Sequence, residues 1–165
     1  MSEFGVDYGL PHVALSVASQ TYAVSATTVM EIVAVQQITP LPTMPACVVG
    51  LMNLRGTVIP IVDLGEKLGF GATRFTSRTC AIVVMTRVEN VPTPIGVIAD
   101  EVLDVLSLPP ESIGPAPAFG SPVDVAYLSG ITRIQDRYVL ILDFTKILSV
   151  EELLAVSREK AEATA

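Results

Sequence analysis

The chain has 165 residues, half of them hydrophobic and only 16% charged, which suits one ordinary domain or two small subdomains sharing a core. The net charge is −7 and nothing basic clusters, so a nucleic-acid footprint is excluded. One histidine (His12) and two distant cysteines (Cys47 and Cys80) supply neither a metal-ligand set nor a convincing cysteine–histidine site.

Short β-branched runs separated by turn residues predict strands at His12–Ser16, Thr21–Val24, Ile32–Ile38, Gly50–Leu54, Thr57–Val62, Thr79–Arg87, Pro94–Ala99, Val102–Ser107, Val125–Ile134 and Tyr138–Leu142. Short helices are expected at Ala26–Glu31, Ala46–Val49 and Leu64–Leu68. Ser149 and Glu152 have capping-box spacing, and Leu153, Leu154 and Val156 give an apolar side, so a C-terminal helix is expected over 149–160. The segments 89–94 and 109–122 read as loops from their proline and polar content. Two long stretches, 8–30 and 32–54, carry no Asp, Glu, Lys or Arg. The first is studded with hydroxyls and the second holds Pro40, Pro42 and Pro45, so neither reads as a membrane-spanning helix. With no signal peptide, the expected compartment is the cytoplasm, with Cys47 and Cys80 as buried thiols.

The chain repeats itself. "YAVSATTVMEIVAV" from Tyr22 matches "IGVIADEVLDVLSL" from Ile95, which sets Val29 on Val102, Glu31 on Asp104 and Ile32 on Val105. "GLMNLRGTVIPIVDLGEKL" from Gly50 matches "GITRIQDRYVLILDFTKIL" from Gly130, which sets Gly50 on Gly130 and Asp63 on Asp143. Repeat halves of about 12–68 and 79–148 follow. Each offers about five strands, enough for a small closed barrel.

Catalytic constellations are missing. "GFGATR" at 69–74 fits neither a phosphate loop nor a dinucleotide fingerprint. Ser129 in "YLSGIT" lacks the first glycine of a nucleophile elbow. The pairs Asp100–Glu101 and Glu151–Glu152 are adjacent in sequence, and neighbouring side chains on a strand point to opposite faces. Neither an enzyme nor a cofactor is expected.

One arginine stands out. Arg55 is the sole charged residue between Glu31 and Asp63, at the predicted two-residue turn Arg55-Gly56. Gly56 can supply the positive φ of a tight hairpin. The repeated half has Gln135-Asp136 there, so folding does not demand an arginine. Arginine at a hairpin tip is either a solvated end or a contact for a partner, since its fork geometry suits carboxylates and carbonyls.

The strings "VMEIVAV", "GLMNLRGTVIPIVDLGEKLG", "IGVIADEVLDVLSLPPESIGPAP" and "YLSGITRIQDRYVLILDFTKIL" together resemble the CheW-like family of chemotaxis coupling proteins. The resemblance covers roughly residues 10–155. It implies a mainly β chain, 1–165 as a single CheW-like domain made of two similar, interlocked five-stranded SH3-like β-barrel subdomains, with short helices and a C-terminal helix. It implies a non-catalytic cytoplasmic adaptor, held at membrane-bound receptor arrays without itself entering the membrane. Its partners would be the cytoplasmic tip of methyl-accepting chemoreceptors and the regulatory domain of a CheA-type histidine kinase. The resemblance puts receptor contacts on Val29, Glu31, Arg55, Gly56 and Val105, and kinase contacts on Ile38, Pro40 and Phe119. A different reading of the apolar composition is a β-barrel that holds a small apolar ligand between its two halves.

Overall fold

A computed structural model of the chain describes residues 9–117 and 123–148. Among them are eleven strands: β1 (Leu10–Val17), β2 (Gln20–Ser25), β3 (Val29–Ala34), β4 (Ile38–Thr39), β5 (Val48–Leu54), β6 (Thr57–Asp63), β7 (Cys80–Val88), β8 (Val91–Ala99), β9 (Glu101–Leu108), β10 (Leu128–Ile134) and β11 (Arg137–Leu142). Two single-turn helices follow the last hairpin of each half, α1 (Leu64–Lys67) and α2 (Phe144–Ile147). The expected C-terminal helix over 149–160 lies outside the described residues, as does Phe119.

The strands form two sheets, ordered β10-β11-β2-β1-β9 and β3-β7-β8-β6-β5-β4. The chain is thus mainly β, with two SH3-like subdomains. Each sheet draws on both halves of the repeat. The first takes the β1–β2 hairpin from one half and β9, β10 and β11 from the other. The second takes β3 to β6 from the first half and the β7–β8 hairpin from the second. The halves have exchanged their N-terminal hairpins.

The joints of the exchange are two matching parallel pairings. β11 runs beside β2 with Ile141 opposite Ala23, and β6 runs beside β8 with Ile61 opposite Gly96. The third strand of each set then continues round to the far edge of its own sheet. Thr39 pairs with Leu51, and Gly114 pairs with Ile131. The ladder between the two sheet edges is interrupted, while the chain itself bridges them. Gly50 and Gly130 lie beneath these crossings. A Cβ on Gly50 would stand 2.1 Å from the Thr39 carbonyl oxygen, and one on Gly130 2.8 Å from that of Gly114. Close backbone approach therefore accounts for the aligned glycines.

Three apolar clusters result. Met52, Ile59, Ile61, Ala81, Val83 and Ile98 fill the six-stranded sheet. Ala23, Leu108, Val139 and Ile141 fill the five-stranded one. The largest lies between the sheets and joins Val13, Leu15, Tyr22 and Val24 to Ile82, Val84, Ile95, Val97 and Phe144. A reading that stores a ligand between the halves meets a space already packed with side chains.

Several local expectations change. Residues 46–47 form a turn into β5, not the start of a helix, because Val48 and Val49 are drawn into the ladder with β6. The strand expected from Val125 opens instead with a 3-10 turn at Val125–Tyr127, where Asp124 accepts a hydrogen bond from the Ala126 amide at 3.0 Å. β8 begins at Val91 and contains Pro92 and Pro94. β6 pairs with β8 only from Gly96 to Ile98, so no ladder donor is needed on that side at the prolines. Cys47 is buried as expected. Cys80 is only half-buried, and its Sγ donates to the Arg78 carbonyl at 3.3 Å.

Candidate functional site

All four two-residue hairpin turns have both central residues at positive φ: Ala18-Ser19, Arg55-Gly56, Glu89-Asn90 and Gln135-Asp136. This is the turn whose twist suits antiparallel strands. Arg55 itself sits at φ 50°, a region that asparagine or glycine enters more cheaply. The Gly56 amide donates to Asn53 Oδ1 at 2.9 Å and fixes the tip. Arg55 thereby projects from the end of the six-stranded sheet.

Its guanidinium is 70% exposed, yet Nη2 donates to both carboxylate oxygens of Glu31. Glu31 lies opposite Val83 on β3, on the same side as Val33, which packs into the barrel interior. The ion pair thus covers the mouth of the six-stranded barrel. The Glu31 hydrogen bond and charge hold the Arg55 guanidinium above its ordinary pKa. The two charges expected to share a site therefore meet.

Beside them a β-bulge between Val29 and Glu31 throws Met30 outward, leaving it 54% exposed. Met30 and Val29 line a shallow cavity of about 270 Å³ with Val84, Met85, Phe144 and Leu148. This apolar groove runs between the edge of the six-stranded sheet and α2. Met85 is exposed as well. Neither methionine stood out in the sequence, because a bulge has no local signature. Methionine suits a surface that must accept varied shapes.

The remaining predicted residues are spread out. Val29 is half-buried and packs against the inter-sheet core. Val105 is on the other sheet, on β9, and is 62% exposed. Ile38 is half-buried against the six-stranded barrel core, and Pro40 is exposed just beyond it. Phe119 falls outside the described residues.

Other chemistry is absent among the described residues. No group of three His, Cys, Asp or Glu side chains could hold a metal, and no helix is long and apolar enough to cross a membrane. The buried His12 donates from Nδ1 to the Leu10 carbonyl, 2.9 Å away. Ser129 Oγ reaches only the Ile141 carbonyl at 3.5 Å.

Residues 11–152 match the CheW-like domain family. Chemotaxis protein CheW of Klebsiella aerogenes is 31% identical over 152 residues, spanning 92% of this chain and 89% of that one. Chemotaxis protein CheW of Rhizobium meliloti is 32% identical over 140 residues, 85% of this chain and 88% of that one. The crystal structure of the scaffolding protein TtCheW from Thermoanaerobacter tengcongensis superposes with a TM-score of 0.78 at 26% identity, covering 92% of this chain and 96% of that one. Fold and sequence agree, and the chain belongs to the CheW-like family of non-catalytic chemotaxis scaffold proteins.

Proposed function

We propose that this protein couples chemoreceptors to a CheA-type histidine kinase, by binding the cytoplasmic tip of the receptor on one face and the kinase regulatory domain on others. The observation that carries the receptor face is the Arg55–Glu31 pair standing beside the apolar groove of Val29, Met30 and Met85. A receptor tip is a helical hairpin. An amphipathic helix lays its apolar side in such a groove and offers polar groups to the rim. Arg55, with five donors and one carboxylate partner among the described residues, keeps donors for the incoming helix. Gly56 keeps the tip low, and Val105 extends the apolar contact onto the second subdomain.

The kinase face is placed at Ile38 and Pro40, with Phe119 as a second contact. Ile38 is half-buried in the barrel core, so it supports the surface, and the exposed Pro40 makes the contact. Both subdomains, with repeat halves of about 12–68 and 79–148, act as one unit. Bound this way, the protein would reside in receptor arrays at the membrane surface.

The test is a pull-down of purified protein with a receptor cytoplasmic fragment and, separately, with the kinase regulatory domain. Arg55→Glu should lose the receptor and keep the kinase. Pro40→Asp and Phe119→Ala should do the reverse. Failure of the wild type to bind either partner would reject the coupling role.

A further inference from the structure

Glu31 and Asp104 occupy equivalent places in the two subdomains. Glu31 lies opposite Val83 just past the bulge at Met30, and Asp104 lies opposite Ala14 just past a bulge at Leu103. The hairpin tips that face them are Arg55-Gly56 and Gln135-Asp136. In the six-stranded sheet the tip arginine covers the carboxylate. In the five-stranded sheet Gln135 cannot, and Asp104 has no cation among the described residues. Among the described residues its carboxylate accepts one hydrogen bond, from the neighbouring Val105 amide, 2.8 Å to Oδ1. The neighbouring hairpin is shorter too. Three residues separate the parallel-pairing position Ala23 from the turn residue Ser19, against five between Gly96 and Asn90. The mouth is left open as a cavity of about 480 Å³.

Ala14, Leu106, Ile134 and Val139 lie at its base, but most of its exposed lining is polar, with Gln20, Thr21 and Gln135 beside Asp104 and Arg137. Arg137 also has no ion-pair partner among the described residues. The volume is in the range of small-molecule sites, and the polar lining suits a charged, water-soluble ligand. We propose that this mouth binds a small zwitterion with a cationic end, a basic amino acid being the simplest. Its guanidinium or ammonium replaces, at Asp104, the arginine that the other barrel supplies from its own chain. Its carboxylate takes the Arg137 fork, and its methylenes lie on the apolar base. Val105, assigned above to the receptor contact, borders this site, but the proposal does not rest on the coupling role.

The full chain would be titrated with L-arginine and L-lysine by calorimetry and by amide chemical shifts, with agmatine as the guanidinium compound lacking a carboxylate. Saturable one-to-one binding is expected, with shifts at Leu103–Leu106 and Tyr138. Asp104→Asn, an exposed change, should weaken both amino acids about tenfold or more while leaving the melting temperature alone. Arg137→Gln should weaken arginine and spare agmatine. Titrations that do not saturate at millimolar ligand, shifts that map elsewhere, or affinity unchanged in Asp104→Asn would overturn the proposal.

Discussion

Arg55 donates through one nitrogen to both oxygens of Glu31, joining a hairpin tip to a strand far from it in sequence. The pair sits at the surface and does little for folding, because exposed ion pairs are screened and cost side-chain entropy. Arg55→Glu should therefore leave the melting temperature near that of the wild type and reduce receptor-fragment binding about tenfold or more. The double variant Arg55→Glu with Glu31→Arg restores an ion pair but reverses what the partner meets. It should fold as well as the wild type and still bind poorly. Recovered binding in the double variant would mean that the pair matters only for shape.

Tyr22 is buried between the sheets, and its hydroxyl has no partner among the described residues. Burial pushes its pKa up from an ordinary value of about 10. The unfolded chain ionises first as pH rises, so stability does not change with this group's titration below about pH 10 and falls above it. Tyr22→Phe should raise stability at neutral pH by about 1 kcal/mol by removing an unpaired polar group. Its advantage should widen above about pH 10, in urea melts of the two proteins side by side.

Gly50→Ala should destabilise by about 3 kcal/mol, the upper end for overpacking, since its Cβ would meet the Thr39 carbonyl at 2.1 Å. Gly130→Ala, with more room, should cost less. Thermal unfolding of both variants gives the comparison.

Asp63 and Asp143 cap α1 and α2 from equivalent positions but carry different loads. Asp63 is buried and accepts from the Thr73 amide at 2.8 Å, the Thr73 hydroxyl at 2.6 Å and the Glu66 amide at 3.4 Å. Asp143 accepts only from the amide and hydroxyl of Thr145 among the described residues, and it is partly exposed. Asp63→Ala should cost about 2 kcal/mol, and Asp143→Ala about 1 kcal/mol. Amide exchange at Thr73 should rise only in the first.

Most strands were legible because period-two β-branched runs ended at turn residues, and the aligned Gly50 and Gly130 already marked a shared architecture. The prolines of β8 misled, because whether a strand tolerates proline depends on how far its neighbour extends. The repeat placed Glu31 on Asp104, yet the contact between Glu31 and Arg55 was invisible, since nothing local reports which hairpin tip curls over which strand. The exchange of hairpins was hidden for a stronger reason. Both halves carry nearly the same pattern, so β1–β2 and β7–β8 satisfy the same edge by sequence alone.

That exchange has a mechanical consequence. Each subdomain holds a hairpin from the other repeat half, so the six-stranded sheet is one unbroken stretch, β3 to β8, joined to the five-stranded sheet by two crossings, from β2 into β3 and from β8 into β9. The arrangement is that of a two-fold dimer whose subunits have traded arms, fused through the segment after α1. The Arg55 face is built from the middle of the chain, while the first and last strands lie together in the other sheet. Two crossings and a shared core, in place of a single linker, hold one subdomain against the other.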